Sequence, residues 1–281
     1  MTRRLDTLAA VADRFDAIVL DQWGVLHDGT APYPGAIACL RDLASRGVRL
    51  AVLSNSGKRA APNAERIADM GFEPGLFEAV MTSGEALWQD IDGGRVRERR
   101  LFAIERADGD GAAWATGLDV TLVAKVEEAE AVLLMGLPDD AGETGYAEPL
   151  QTARARDIPV LCTNPDRAAP RANGKVVVSP GALAHAYAEA GGRVRFYGKP
   201  HGPVFRALEA RLGAGPDRLL MVGDSLEHDI AGGHAAGWST AFVQGGLHAA
   251  AFSGADPDAA LAALVAGAGT PSPDYALARL E

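Results

Sequence analysis

The sequence predicts an α/β fold built on a parallel sheet. Short runs such as Ala17–Leu20 and Val48–Leu53 lack alternating polar positions, as expected for strands that are buried on both faces. Between them, Ala36–Arg46 carries apolar residues at helical spacing, and the Gly47 that follows is typical of a helix end. Strand, helix and strand in this order predict a βαβ unit and therefore parallel strands.

The composition is that of an ordinary globular protein. The chain has 281 residues, enough for one large or two smaller domains, and a net charge of −10 without a basic cluster, which excludes nucleic acid as an expected partner. Cys39 and Cys162 are too few for a disulfide framework, so we expect a reducing cytoplasm. No signal peptide and no run of about 18 apolar residues is present, so no membrane partner is expected.

The strand Ala17–Leu20 is expected to present Asp21 at its carboxyl end. Ligands of open α/β sheets bind at that edge, and a carboxylate there is unfavourable unless a cation meets it. Gly24 and Gly29 then allow the chain to turn sharply. By itself, the pattern fits an aspartate that caps the following turn better than a catalytic one.

The second strand ends in Ser54 and Asn55, at the same edge of the predicted sheet. A hydroxyl group and backbone N–H groups there can hold a phosphate, helped by the N-terminus of the next helix. Helix capping is the alternative and, for these two residues alone, the commoner role. Gly57 and Lys58 invite a P-loop interpretation, but the full G-x-x-x-x-G-K-[ST] motif is absent.

The middle of the chain has a strand and helix pattern of its own. Apolar runs predict strands at 101–104, 120–123, 131–135 and 160–162, with a helix at 147–156. The loop after the last of these strands places Asn164 and Asp166 on either side of the stiff Pro165, where both could face a ligand. An Asx-type turn is the equally good alternative.

Two further strands of the predicted sheet end in charged residues. Val194–Tyr197 is followed by Lys199, a compact cation that suits phosphate oxygens, although a surface lysine is the usual case. Arg218–Val222 is followed by Asp224 and Asp229, which a tight strand-to-helix turn can aim at one hard cation such as Mg²⁺.

The ends of the chain complete the predicted elements. Residues 1–14 have the apolar spacing of a helix, Ser239–Val243 is expected to be a strand, and the tail is expected to contain a helix near 257–266 and a closing helix.

Together, the residues at the strand ends supply the groups needed for phosphoryl transfer through an aspartyl phosphate. They comprise a carboxylate nucleophile, a hydroxyl group, a cation and acidic metal ligands. On these motifs the sequence resembles class IIA of the haloacid dehalogenase (HAD) superfamily, which includes NagD-like phosphatases and pyridoxal phosphatase. The resemblance spans nearly the whole chain and rests on Asp21 with Gly24-Val25-Leu26, Tyr33-Pro34-Gly35-Ala36, Ser54-Asn55, Gly198-Lys199-Pro200, and Gly223-Asp224-Ser225 with Asp229-Ile230.

The resemblance implies a Rossmann-like core with an inserted, smaller α/β cap domain. We expect the core at 1–83 and 193–281 and the cap at 84–192, with Thr163–Asp166 resembling the cap loop of the class. The resemblance also implies roles for individual residues. The expected catalytic residues are Asp21, which is the nucleophile, and Lys199. The expected phosphate-binding residues are Ser54, Asn55 and Lys199, and the expected substrate residues of the cap are Asn164 and Asp166. The expected magnesium ligands are Asp21, the backbone carbonyl of Trp23 and Asp224, to which the five-residue spacing from Asp224 adds Asp229.

The first motif departs from the family pattern. The family usually has Asp-x-Asp, whereas this chain has Asp21-Gln22-Trp23. In the family, the second aspartate protonates the leaving group and then activates water. The Trp23 indole is only a hydrogen-bond donor and cannot exchange a proton near neutral pH. His27 and Asp28 lie on the adjacent loop and are alternative candidates for the proton donor, although the strand geometry gives no reason to prefer either over having none.

The leading hypothesis is a magnesium-dependent phosphatase that acts on a small phosphorylated metabolite. The alternative is a non-catalytic protein that binds a phosphate ligand or has a regulatory role on the same scaffold. Cap loops set the substrate, so the sequence leaves its identity open. Caps of this class often take part in dimers, which adds a homodimer to the expected partners.

Overall fold

The structure is a computed structural model, and it describes residues 2–142, 144–170, 176–254 and 256–280. The chain divides into two compact units. The first unit comprises residues 1–54, 64–81 and 205–281, and the second comprises residues 55–63 and 82–204. In the described residues, no helix is both long and apolar enough to cross a membrane.

Strands and helices alternate along most of the chain. The strands are β1 (Arg3–Arg4), β2 (Ala17–Leu20), β3 (Arg49–Ser54), β4 (Ala79–Thr82), β5 (Arg100–Ile104), β6 (Thr121–Leu122), β7 (Ala131–Leu134), β8 (Val160–Cys162), β9 (Ala168–Pro170), β10 (Val176–Val178), β11 (Val194–Phe196), β12 (Leu219–Gly223), β13 (Ser239–Val243) and β14 (Tyr275–Leu277). The α-helices are α1 (Ala36–Ser45), α2 (Ala60–Asp69), α3 (Ser83–Asp92), α4 (Asp110–Ala115), α5 (Ala147–Ala155), α6 (Pro180–Glu189), α7 (Gly202–Leu212), α8 (Gly232–Ala235) and α9 (Pro257–Ala268).

The first unit is built on a seven-stranded sheet in the order β1-β14-β13-β12-β2-β3-β4. The neighbouring pairs from β1 to β3 in this order are parallel. Leu20 at the end of β2 lies opposite Val222 of β12 and Val52 of β3. The residues that follow these three strands therefore leave the sheet at one edge, the edge where open α/β sheets bind ligands.

The core of the first unit explains why its strands are apolar throughout. All four residues of β2 and all five of β12 are buried, as expected for central strands that are covered on both faces. Helix α1 packs against the sheet through Leu40 and Leu43, which are at most 1% exposed and lie three residues apart on one face.

The second unit contains a five-stranded sheet in the order β11-β8-β7-β5-β6, in which the pairings are parallel. A separate antiparallel pair is formed by β9 and β10. The core of this unit includes Val132, Leu134, Val160 and Cys162, on which Tyr187 of α6 packs. Both units thus combine parallel sheets with helices, and the predicted α/β fold class is confirmed.

The two ends of the chain differ from the expectation. Instead of one helix, the described residues 2–14 contain strand β1 and two short 3₁₀ turns, and instead of a closing helix the tail forms β14. Arg3 N–H donates to Asp274 O, and Leu5 N–H donates to Ala276 O. These backbone groups pair the two ends of the chain with each other and are therefore not available for hydrogen bonds within a helix. The helix near 257–266 is present as α9.

The strand that precedes Lys199 also differs from the expectation. The sequence predicts this strand as part of the core sheet, whereas β11 pairs in parallel with β8 of the second unit. As a result, the second unit extends to residue 204, beyond the expected boundary at 192, and also includes residues 55–63. The sequence of a short apolar strand does not show which sheet the strand joins, because tertiary packing determines its partner strand.

Candidate active site

Asp21 lies directly after β2 and is anchored by its backbone. Its N–H donates to Val222 O at 2.9 Å, which continues the pairing with β12. The chain then turns back on itself, because Gly24 N–H donates to His27 O and His27 N–H donates to Gln22 O. These two hydrogen bonds join His27 to Gln22 and Gly24, the residues on either side of Trp23, and neither bond uses the Trp23 carbonyl.

Asp224 follows β12 in a tight turn, and Asp229 lies in the π-helix Leu226–Ala231 that begins after it. Both side chains are buried, with Asp224 3% and Asp229 0% exposed. An Asp229 carboxylate oxygen accepts the Ser225 N–H at 3.0 Å, and the Ser225 hydroxyl oxygen accepts the His228 N–H at 3.1 Å. These bonds fix the turn that carries the two carboxylates.

The three predicted acidic ligands come together in the first unit. Asp21, Asp224 and Asp229 each contribute a carboxylate oxygen, and these oxygens all lie within 4.8 Å of one another. Three like charges at this spacing repel one another strongly where burial reduces screening by water. Carboxylate oxygens are the ligands that Mg²⁺ prefers, and a divalent cation would offset the repulsion, so the residues present fit this metal.

The backbones of Gly24 and Gly246 lie very close to the Asp224 carboxylate. A Cβ atom on Gly24, whose φ is +85°, would lie 1.8 Å from Asp224 Oδ2, and a Cβ atom on Gly246 would lie 2.2 Å from the same oxygen. Leu247 N–H donates to this oxygen at 2.6 Å. The close approach explains why glycine is needed at position 24, since any side chain there would displace the carboxylate.

Ser54 ends strand β3, the neighbour of β2, as the sequence predicted. It is 8% exposed and lies at the same edge of the sheet as Asp21. The chain enters the second unit at the next residue, Asn55.

Within the second unit, the Asn55 side chain holds the backbone of Lys199. Its Oδ1 accepts the Lys199 N–H at 2.6 Å, and its Nδ2 donates to Lys199 O at 3.1 Å and to an Asp166 carboxylate oxygen at 2.7 Å. Lys199 itself is only 2% exposed. Both polar atoms of the Asn55 side-chain amide therefore already have protein partners.

The loop after β8 is tied down by its own polar groups. Asn164 Oδ1 accepts the Asp166 N–H at 3.1 Å, which is the Asx-type turn that the sequence offered as an alternative. Asp166 in turn accepts from Asn55, and its carbonyl accepts the Gly181 N–H at the start of α6. The loop of Asn164 and Asp166 is thus connected directly to the residue that holds Lys199.

Comparisons with known proteins point to one family. A profile of haloacid dehalogenase-like hydrolases matches residues 18–109, and a second, described as HAD-hydrolase-like, matches residues 196–266. A crystal structure of a haloacid dehalogenase-like hydrolase from Brucella suis 1330 is 32% identical, with a TM-score of 0.81, and covers 99% of this chain and 100% of that chain.

This chain belongs to the haloacid dehalogenase-like hydrolase family. The family predicted from the motifs is thereby confirmed. Two curated relatives are similar at lower identity. Chronophin from Mus musculus is 28% identical over 246 residues, covering 85% of this chain and 84% of the relative, and glycerol-3-phosphate phosphatase from Gallus gallus is 28% identical over 265 residues, covering 87% and 85%.

The two alternative proton donors of this haloacid dehalogenase-like chain are poorly suited to that role. The Asp28 carboxylate accepts the Thr30 N–H, the Thr30 hydroxyl and the Ala31 N–H, and these bonds lower the pKa of Asp28 to about 2. Its carboxyl group therefore stays ionised at neutral pH. His27 is fully buried, and its Nδ1 accepts the Gly29 N–H at 3.0 Å.

Sequence reasoning missed the structural role of His27 and its neighbour Gln22. Gln22 is 2% exposed, and its Oε1 accepts a bond from Arg66 at 2.8 Å. Burial and then the charge of Arg66 lower the pKa of His27 to about 4, against smaller opposite effects of Asp21 and Asp28. A histidine in a loop that follows a candidate nucleophile gives no sequence signal that separates a buried structural residue from a proton donor.

We expect this buried histidine to make the protein sensitive to acid. Because the pKa of His27 is about 4 in the folded chain and near 6.5 when unfolded, the unfolded state binds more protons below pH 6.5. The free energy of unfolding should fall by about 2–3 kcal/mol between pH 7 and pH 4 from this residue. Urea unfolding at a series of pH values, with a chelator present, measures the slope.

His27→Asn is the informative variant, because an Asn oxygen can still accept the Gly29 N–H but does not titrate in this range. Its unfolding free energy should depend less on pH than that of the wild type. Equal slopes for the two proteins would show that other groups cause the acid sensitivity.

Proposed function

We propose that this chain is a magnesium-dependent phosphatase that hydrolyses a small phosphorylated metabolite through a phosphoryl group carried on Asp21. The observation that supports it most directly is the set of three carboxylates within 4.8 Å at the end of the central strands, with Asp21 among them. Mg²⁺ held there would offset the charge between the attacking carboxylate and the phosphate.

The relatives support the same enzyme class, a phosphoric monoester hydrolase of the haloacid dehalogenase-like family. The chicken relative is named as a glycerol-3-phosphate phosphatase, and its similarity extends over 87% of this chain. That name indicates a small phosphorylated compound as the class of substrate. It does not fix the substrate, because at 28% identity the residues that select it are free to differ.

In the proposed reaction, a carboxylate oxygen of Asp21 attacks the phosphorus atom and the bond to the ester oxygen breaks. The alcohol oxygen leaves and takes a proton from solvent water, and an acyl phosphate remains on Asp21. Water then attacks the phosphorus of this intermediate and gives up a proton to solvent, which releases inorganic phosphate and restores the carboxylate. Asp224 and Asp229, with the Trp23 carbonyl, are the proposed remaining ligands of the metal.

We propose that Ser54, the backbone of Asn55 and the ammonium group of Lys199 bind the phosphoryl oxygens. A compact ammonium group suits this task as a point charge. Asn55 takes a positioning role in this proposal, because the two hydrogen bonds between its side-chain amide and the Lys199 backbone fix the position of the Lys199 main chain. Asn164 and Asp166 remain our proposed substrate-selecting residues.

Two further expectations stay proposals. The cytoplasm is the expected compartment, because the thiols of Cys39 and Cys162 are free and buried and burial raises the pKa of each. A homodimer remains expected from the resemblance to class IIA caps.

The test is a screen for phosphate release from small phosphorylated metabolites, with and without Mg²⁺, alongside calorimetry of Mg²⁺ binding. Wild type should turn over at least one substrate only with metal, and Asp224→Ala should lose measurable Mg²⁺ binding because it removes one of the clustered carboxylates. Unchanged Mg²⁺ affinity in Asp224→Ala would overturn the metal site. Phosphate-ligand binding without any turnover would favour the non-catalytic alternative that Trp23 raises.

A further inference from the structure

Two exposed apolar residues lie on the loops next to the acidic cluster of the first unit. Among the residues that the structure describes, the exposed large apolar side chains are Trp23, Leu247 and Val176, at 36%, 56% and 65%. Val176 lies in the second unit. A single exposed apolar side chain needs no explanation, but two beside one functional group mark a candidate contact surface.

The backbone shows that Trp23 and Leu247 lie next to the same carboxylate. Trp23 precedes Gly24, where a Cβ atom would lie 1.8 Å from Asp224 Oδ2, and Leu247 N–H donates to that oxygen at 2.6 Å. The two loops also meet each other, since a Cβ atom on Gly246 would lie 2.6 Å from Gly24 O. The two side chains therefore leave the backbone on loops that enclose Asp224.

The Trp23 ring is also held in place. A Cβ atom on Gly29 would lie 3.3 Å from Trp23 Nε1 and 3.6 Å from Cδ1, so this edge of the indole rests against the loop that follows. An indole that is supported on one edge and partly exposed loses little conformational freedom when a flat group packs on it.

We propose that Trp23 and Leu247 form an apolar subsite for the leaving group, which fits phosphate monoesters of aromatic alcohols and phenols. The inference rests on the proposed function, because a phosphate that Asp21 attacks brings its organic group beside this cluster. Trp23 thus takes a specificity-determining role at the position where the family usually carries a proton donor. The contact acts through packing, independently of how readily the leaving group departs.

Four substrates separate packing from leaving-group chemistry. Benzyl phosphate and glycerol 3-phosphate both release alkoxides that need a proton, and only benzyl is aromatic. 4-Nitrophenyl phosphate and acetyl phosphate both release stable anions, and only nitrophenyl is aromatic. The subsite predicts that kcat/KM is higher for the aromatic member of each pair, whatever the chemistry of the leaving group.

The variants are Trp23→Ala, Leu247→Ala and Trp23→Phe, with Val176→Ala as the matched control for truncating an exposed apolar side chain. Trp23→Ala and Leu247→Ala should each reduce the aromatic preference in both pairs by about three- to tenfold, Trp23→Phe should retain most of it, and Val176→Ala should leave it unchanged. Calorimetry with benzylphosphonate and methylphosphonate tests the same preference in binding, without turnover.

The outcomes are separable. If wild type hydrolyses none of the four substrates and benzylphosphonate binds no more tightly than methylphosphonate, the subsite is wrong, whereas the proposed function fails only if the metabolite screen shows no turnover. If it hydrolyses them and Trp23→Ala lowers all four rates by one factor, with the ratio of the two phosphonate affinities unchanged, Trp23 only supports the loop and the subsite is wrong. A reduced aromatic preference in both pairs, with weaker benzylphosphonate binding, supports it.

Discussion

Asp21→Asn should abolish formation of a phosphoryl-enzyme and lower turnover by at least about 1,000-fold. An amide keeps the size of the carboxyl group but loses its charge and most of its nucleophilicity. Because the Asp21 backbone is fixed by the bond from its N–H to Val222 O, the substitution should leave the strand end in place. The loss would then report chemistry rather than folding.

The measurement is acid quenching of enzyme mixed with phosphorus-labelled acyl phosphate, followed by mass spectrometry of the peptide that carries Asp21. Label should appear in wild type and be absent from Asp21→Asn. Asp16→Asn is the matched control, since Asp16 is an exposed aspartate paired with Arg218 and should change neither labelling nor rate. Equal labelling of the Asp21→Asn protein would sink the nucleophile assignment.

The sequence was sufficient to predict the acidic cluster because parallel strands bring their carboxyl ends to one edge. Apolar runs before Asp21 and Asp224 indicated buried strands, and the structure pairs these strands directly. Asp229 was predictable from its five-residue spacing within a turn. In each case the local pattern and the sheet geometry require the same placement.

The residues that sequence reasoning placed less well depend on contacts between distant segments. The Asn55 amide bonds to the backbone of Lys199, 144 residues away, and no local pattern specifies such a bond. The same holds for β11, whose partner β8 is selected by packing, and for β14, whose three buried residues are too few to show a period. His27 resembled a candidate proton donor until its burial was known.

Trp23→Asp should raise the rate on alkyl phosphates by about 10- to 100-fold. A positioned proton donor is worth about 100- to 10,000-fold, and an introduced carboxyl group should recover only part of this. The indole of Trp23 cannot exchange a proton, and the ionised Asp28 and buried His27 are poorly suited to replace one. Wild type should therefore be slow on alkyl phosphates and faster on acyl or aryl phosphates, whose leaving groups depart as stable anions.

Glycerol 3-phosphate is the sharpest alkyl substrate for this test, because its polar leaving group gains least from the apolar contact that the substitution removes. Trp23→Asn is the matched control. It also removes the indole and introduces a side chain of the same size as Asp, but one that does not exchange a proton near neutral pH. Rates on glycerol 3-phosphate and acetyl phosphate, with the melting temperature of each variant, complete the measurement. The Asp variant should gain on glycerol 3-phosphate relative to the Asn variant, with little difference on acetyl phosphate. If a folded Trp23→Asp protein shows no such gain, or wild type is already fast on alkyl phosphates, another group supplies the proton.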